Sequence, residues 1–286
     1  MSNLNIEKIL SKITLASQEG DRYRCAELVA EIKKTMKESE RNRRRIADAG
    51  TSLVLASSFD LFSRISVENS NNQVLEEIIL VLSFLFPLDN KALQCLSSPE
   101  SINSIISILN SGVFAKASLT TIFNLVSSSE EIARKFIDLN LVSKLLEILV
   151  DSDKKMCERA LAVLDVVLNY ESGREMARGN ALAMPVLVKK IFRVSEMATE
   201  LVVSVMWKIC CCKKSCEKEY EDEKRVKCLI EGLEFGAFQK LLVLLQIGCS
   251  EGTKEKVTEL LKLLNGHRAQ IECIDSKDFK GVKRSF

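Results

Sequence analysis

The densest group of side chains that could carry chemistry is a set of five cysteines: Cys210, Cys211, Cys212, Cys216 and Cys228. Thiolates alone can hold zinc in a tetrahedral site. Structural zinc sites usually pair Cys-x₂₋₄-Cys knuckles, whereas three consecutive cysteines on a helix point in different directions, and no histidine is close in the sequence. This spacing favours structural thiols over a metal or redox site. We therefore predict no metal and no cofactor.

Nucleophilic catalysis would need a base, and the chain has a single histidine, His267. It follows Gly266 at the expected end of the last long helix, where a cation suits the helix carboxyl terminus. No glycine loop that would cradle phosphates and no Asp/Glu/His group with metal-like spacing accompanies it. We predict no catalytic residue in this chain.

A basic run lies near the amino terminus, and its members are Arg41, Arg43, Arg44 and Arg45, with Lys33, Lys34 and Lys37 upstream. It could contact phosphates or an acidic protein. Three acidic residues interrupt it, and no aromatic residue is interleaved to stack on bases. We therefore favour a solvated surface, keep an acidic protein partner as the alternative, and expect no nucleic-acid binding.

The composition indicates a helical protein with reduced thiols. Only 11 glycines and 3 prolines interrupt 286 residues, and the formal net charge is +2. The first residues lack the basic and apolar regions of a signal peptide, and no apolar run is long enough to span a bilayer. We expect a soluble protein of the cytoplasm, with the nucleus as a second compartment.

Six amphipathic segments share one pattern, in which the fifth, eighth and eleventh positions are mostly apolar, as on one buried helix face. Leu161, Leu164 and Val167 show this stripe. The segments are 24–36, 75–87, 115–127, 157–169, 199–211 and 254–266.

A break followed by an apolar run precedes each of the last five segments; these breaks are anchored at Gly50, Glu100, Asn140, Leu182 and Gly236. Repeats of about 40–45 residues with two or three helices are typical of HEAT and armadillo arrays. We therefore predict an all-α armadillo-type solenoid, a right-handed superhelix, over residues 1–267. It would contain an N-terminal half-repeat cap, about five repeats, inserted loops near 66–72 and 213–224, and a flexible tail at 268–286.

With the repeats laid out, the sequence resembles the C-terminal armadillo domain of plant U-box ubiquitin ligases from about residue 6 to residue 267. The most specific stretches are residues 38–50 (ESERNRRRIADAG), 205–211 (VMWKICC) and 235–265. The resemblance implies an adaptor that recognises target proteins, in plant signalling such as immunity or stress. The family consists of ubiquitin transferases.

The U-box itself, recognisable by a Cys-Pro-Ile run followed by Asp-Pro, is absent from this sequence. A ubiquitin-conjugating enzyme would be a partner only where a U-box is present. Two alternatives stay open: a fragment of a longer ligase, or a natural relative without a U-box that acts as a scaffold or decoy and leaves its partners unmodified.

The last helix of each repeat is expected to line a concave binding surface. Armadillo proteins that bind extended basic peptides carry a ladder of Trp and Asn on these helices. Only Asn124 matches that pattern here, so an importin-like function is not expected. Trp207, the only tryptophan, could pack in the core or anchor a partner. The candidate contacts for a protein partner are Lys116, Thr120, Asn124, Glu158, Asp165, Asn169, Glu200, Trp207 and Lys208.

Overall fold

The structure is a computed structural model that describes residues 3–65, 73–85, 90–211 and 219–278. These ranges contain seventeen helices and no strand. In chain order the helices are α1 (Asn3–Glu19), α2 (Arg22–Glu38), α3 (Glu40–Asp48), α4 (Thr51–Arg64), α5 (Gln73–Leu85), α6 (Asn90–Cys95), α7 (Pro99–Ser111), α8 (Ala115–Ser128), α9 (Glu130–Asp138), α10 (Leu141–Asp151), α11 (Lys154–Val167), α12 (Glu171–Arg178), α13 (Ala183–Lys190), α14 (Glu196–Cys211), α15 (Glu219–Glu234), α16 (Ala237–Ile247) and α17 (Glu251–Asp278).

The helices follow one another as a pair, α1 and α2, and then as five groups of three. We call the members of each group the first, second and last helix; α2 takes the place of a last helix in the pair. The chain divides into two compact units, Met1–Leu139 and Asn140–Phe286. The prediction of an all-α armadillo-type solenoid is confirmed.

The predicted insertions and tail coincide only in part with these elements. Residues 66–72 and 213–218 lie outside the described residues, while residues 219–224 belong to α15. Helix α17 continues to Asp278, beyond the boundary predicted at residue 267, and residues 279–286 are not described. The division into cap, repeats and tail stays a prediction.

Left-handed backbone turns connect first to second helices in three groups. Gly50, Asn140 and Gly236 have φ angles of 75°, 62° and 82° and directly precede α4, α10 and α16. Glycine adopts this conformation without a steric penalty, and asparagine tolerates it better than most residues. The other two anchors differ. Glu100 lies in the first turn of α7, which begins after the capping residue Ser98, whose hydroxyl accepts a hydrogen bond from the Ser101 N–H, and Leu182 directly precedes α13 in a right-handed conformation.

The predicted apolar stripe is buried in the middle of the chain. Leu161, Leu164 and Val167 of α11 are fully buried, as are the equivalent residues of α8 and α14. In α2 the register differs by one residue, because Val29 and Ile32 are buried where the repeat pattern predicted Leu28 and Glu31.

Two arginines of α12 satisfy carbonyls at the ends of last helices. Arg174 donates to the carbonyls of Leu168 and Asn169, just after α11, at 2.9 and 2.8 Å. Arg178 donates from Nε to the Ile209 carbonyl in α14 at 2.9 Å and pairs with Glu171 at 3.0 Å. Cations stabilise helix carboxyl termini, where carbonyls lack partners within the helix. Arg178 is buried and thereby ties α12 to α14.

Replacing Arg178 with alanine should lower the free energy of unfolding by about 3 kcal/mol, because the half-buried Glu171 carboxylate loses one of its two arginine partners and a helix-end carbonyl loses its donor. Urea unfolding followed by circular dichroism measures this change. Lys254→Ala, which removes an exposed partner of Glu251, is the matched control and should have little effect. Equal destabilisation by the two variants would contradict a structural role for Arg178.

Candidate functional site

The last helices of the second unit lie side by side, with α14 packed between α11 and α17. Six of the nine predicted contact residues lie on or directly after α11 and α14: Glu158, Asp165, Asn169, Glu200, Trp207 and Lys208. We call the surface formed by α11, α14 and α17 the last-helix face of the second unit. Most of the six form hydrogen bonds that cross from one last helix to the next repeat.

Asp165 and Lys208 form the most shielded of these links. The Lys208 ammonium lies 2.8 Å from Asp165 Oδ1, and the two side chains are only 12% and 22% exposed. The ammonium also donates to the Asp165 carbonyl at 2.6 Å. Close by in sequence, Glu158 accepts a hydrogen bond from the Ser195 hydroxyl at 2.6 Å. The link between α11 and α14 is therefore ionic as well as apolar.

Trp207 links α14 to α17. Its indole N–H donates to the Glu259 carboxylate, and the Lys256 ammonium lies 5.9 Å from the ring centroid. Lys256 also donates to the Ser204 hydroxyl at 2.9 Å. The tryptophan is partly exposed and lies at the border of the core. Its indole N–H is already held by a hydrogen bond. A rigid, partly exposed aromatic ring is a common anchor in protein interfaces.

Glu200 continues the pattern at the amino-terminal end of α14. Its carboxylate accepts a hydrogen bond from the Ser250 N–H at 3.1 Å, across to the start of α17. Hydrogen bonds from Ser250 lower the pKa of Glu200 below its ordinary value. The carboxylate is therefore held in its charged form. Asn169, by contrast, is exposed just past the end of α11 and contributes its carbonyl to Arg174.

The three predicted residues of the first unit lie together on α8. Thr120 donates from its hydroxyl to the Lys116 carbonyl at 3.0 Å, and the Asn124 amide donates to the Thr120 carbonyl at 2.8 Å. Lys116 is exposed, while Thr120 and Asn124 are half-buried. These side chains form one row along α8, and the hydrogen bonds of Thr120 and Asn124 described here stay within the helix.

Three exposed aromatic residues on last helices were not predicted as contacts. Tyr23 of α2, Phe84 of α5 and Phe123 of α8 are 77%, 46% and 38% exposed. Phe123 occupies the same position in its repeat as Trp207. This alignment in the sequence could have identified Phe123 as a candidate contact. Between α2 and α5 a groove of about 370 Å³ has the small residues Ala26 and Ala30 among its lining.

The cysteine group is divided by burial. Cys210 and Cys228 are buried, Cys211 is half-buried, and Cys212 and Cys216 lie outside the described residues. Burial raises the pKa of Cys228 to about 11 and raises the pKa of Cys210 well above its ordinary value. Within the described residues, no group of three or more His, Cys, Asp or Glu side chains could hold a metal ion.

Residues 248–252 read Gly-Cys-Ser-Glu-Gly, which has the Gly-x-Ser-x-Gly spacing of a hydrolase nucleophile turn. Here Ser250 lies between two helices rather than after a strand, and its hydroxyl donates a hydrogen bond to the Thr253 hydroxyl at 2.9 Å. His267 lies seventeen residues further along the chain on α17, about 25 Å away at the rise of a helix. The motif therefore lacks the histidine base of a hydrolase, and the hydrogen bonds of Ser250 stabilise the first turn of α17 and its contact with Glu200.

No transmembrane segment is found among the helices of the described ranges, because each is too short or too polar to span a bilayer.

Comparison with known proteins identifies relatives along the whole chain. The family description "Plant U-box protein ARM repeat region" matches residues 5–116 and 113–283. U-box domain-containing protein 20 of Arabidopsis thaliana is 35% identical over 98% of this chain and 72% of its own length. U-box domain-containing protein 21 of the same plant is 33% identical over the same shares.

Among solved structures, a designed armadillo repeat protein in complex with the peptide (KR)4 has a TM-score of 0.59 and 15% identity. The match covers 91% of this chain and 99% of that protein. At this identity the match shows the fold alone.

Fold and surface together define an armadillo-repeat protein, a class whose repeats bind peptides or proteins. This chain is a partner-recognition domain of that class. It belongs to the plant U-box protein family and corresponds to the family's armadillo repeat region.

Asp165 and Lys208 should be energetically coupled by about 1–2 kcal/mol, because both side chains are largely shielded from water. A double-mutant cycle of Asp165→Ala and Lys208→Ala, read by urea unfolding, measures the coupling. The exposed pair Glu130 and Arg134 should show almost none. The same small value for both pairs would mean that the ion pair between the Asp165 and Lys208 side chains does not stabilise the α11–α14 contact.

The thiols of Cys25 and Cys228 should make stability fall at alkaline pH. Burial raises the pKa of each from 9.0 to about 11, so the folded chain holds these protons more tightly than the unfolded chain. Their stabilising effect is complete below pH 9.0 and is lost as the pH rises to about 11. Urea unfolding across this range measures the loss, and Cys228→Ala should flatten the pH dependence. An unchanged slope in that variant would rule out a buried thiol at this position.

Proposed function

We propose that the last-helix face of the second unit, with Glu158, Asp165, Asn169, Glu200, Trp207 and Lys208, binds the target proteins of a U-box ubiquitin ligase. We propose the row of Lys116, Thr120 and Asn124 on α8 of the first unit as a further target-binding surface. The observation that carries the proposal is the state of Trp207: its ring is partly exposed, yet its polar edge and one face are held by Glu259 and Lys256. A side chain that is already fixed loses little entropy when a partner covers it.

The pairing of charges on this face indicates the chemistry of the partner. Asp165 is paired with Lys208, and Glu158 and Glu200 already accept hydrogen bonds from the following repeat. A purely basic peptide would have to compete for carboxylates that already have partners within the chain. A folded or amphipathic protein that offers apolar surface to Trp207 and hydrogen bonds around it fits the face better.

In a protein that also carries a U-box, the repeats would provide proximity. Holding a target beside a charged ubiquitin-conjugating enzyme raises the effective concentration of the target's lysines, and that enzyme is a partner only through the U-box. The family relationship supports this role, and it suggests immune or stress signalling in the plant cytoplasm. In such a protein the U-box, rather than the repeats, would supply the ligase activity.

Affinity capture from plant extract should test the face directly. The wild-type chain should retain specific proteins that a Trp207→Ala, Asn124→Ala variant loses, because the variant removes the aromatic anchor and one polar contact. Mass spectrometry identifies the retained proteins, and circular dichroism confirms that the variant stays helical.

A second variant, Lys8→Ala with Lys12→Ala, changes two exposed lysines of α1 and should capture the same proteins as the wild type. With a captured protein in hand, fluorotryptophan labelling gives a single fluorine NMR probe, since Trp207 is the only tryptophan. Its resonance should shift on binding. Unchanged capture by the Trp207 variant, together with an unmoved resonance, would show that the partner binds elsewhere.

A further inference from the structure

The second unit carries another surface of distinct character, formed around the second helices α10, α13 and α16. A hollow of about 430 Å³ lies there, and its apolar lining includes Val150, Leu182 and Phe235. These three side chains are 42%, 42% and 53% exposed. Large apolar side chains open to water in one concave patch are typical of an interaction site.

Four cations line the same hollow: Lys189, Lys190, Arg193 and Lys240. No aspartate or glutamate lines it, and among the described residues none of the four takes part in an ion pair. Other basic side chains of the second unit, such as Lys208 and Arg174, do pair with a carboxylate. The hollow is therefore a local excess of positive charge around an apolar floor.

Lys240 shows that this charge is closely spaced. Its ammonium donates to the Val188 carbonyl at 2.7 Å, which holds it at the wall of the hollow. Partial burial and the neighbouring Arg193 lower its pKa from the ordinary value. Repulsion between two cations is relieved when an anion is placed between them, so a negatively charged ligand would be stabilised here.

We propose that this hollow binds an acidic segment of a partner protein, in which one or two aromatic or aliphatic side chains are flanked by aspartate or glutamate. The apolar side chains would fill the hollow against Phe235 and Leu182, and the carboxylates would pair with Arg193 and the lysines at the rim. A volume of about 430 Å³ accommodates one or two such side chains.

A protein segment fits this surface better than an anionic membrane does. The cations surround a concavity, whereas a lipid surface contacts the most protruding residues. The site is also separate from the last-helix face, because its residues come from the second helices and adjoining turns of the second unit.

Selection from a random peptide library displayed on phage tests the proposal with the purified chain. The peptides that bind the wild type but not a Lys190→Ala, Arg193→Ala variant should combine acidic residues with aromatic or aliphatic ones. Synthetic fluorescein-labelled versions of these peptides should bind the double variant, and separately Phe235→Ala, about tenfold more weakly in fluorescence anisotropy. Added salt should weaken the binding further.

Two control variants sharpen the result. Lys8→Ala with Lys12→Ala removes two exposed lysines elsewhere, and Trp207→Ala with Asn124→Ala removes two predicted contacts on last helices. Neither variant should change the affinity of these peptides. The proposal is wrong if no selected peptide loses binding in the double variant, or if the peptides that lose it lack acidic residues. It is equally wrong if the double variant instead abolishes cosedimentation with phosphatidylserine vesicles while no acidic peptide is selected.

Discussion

The burial of one apolar stripe against the next is the interaction on which this chain depends. Leu161, Met206 and Leu260, on consecutive last helices of the second unit, are all fully removed from water. A completely buried leucine or methionine contributes roughly 1.5–3 kcal/mol, and each of these helices exposes too much apolar surface to be stable alone. Neighbouring helices therefore stabilise one another, and the surface beside the stripe is held in a fixed arrangement.

Polar contacts beside the stripe determine what that arrangement offers to a partner. The Asp165–Lys208 pair and the Trp207–Glu259 hydrogen bond each join two last helices. They therefore favour one axial register between the helices that they join. The same bonds fix the rotamers of side chains at the proposed contact surface. Stability and the proposed recognition thus share residues on the last helices, whereas the hollow near Phe235 and Arg193 lies apart from them.

The helical repeat could be predicted because its signals are local. Apolar positions at helical spacing, and turn residues such as Gly50, Asn140 and Gly236, occur within short stretches of sequence. The register of α2 could not, since Val29 and Leu28 are both apolar and only packing against α5 decides which is buried. The hydrogen-bond partners of the predicted site residues could not be predicted from the sequence either. Glu259 lies 52 residues from Trp207, and their contact depends on the offset between α14 and α17. The hollow was missed because Lys240 and Phe235 join Lys189, Lys190 and Arg193 only through tertiary packing.

Hydrogen–deuterium exchange of the chain, alone and saturated with a target protein identified by capture, tests the central claim most directly. The account predicts that binding slows exchange in peptides from α11, α14 and α17, with the largest change around Trp207, because covering the last-helix face suppresses local opening there. Slowed exchange confined to α10, α13 and α16, with peptides around Trp207 unchanged, would contradict it. That result would assign target recognition to the second helices.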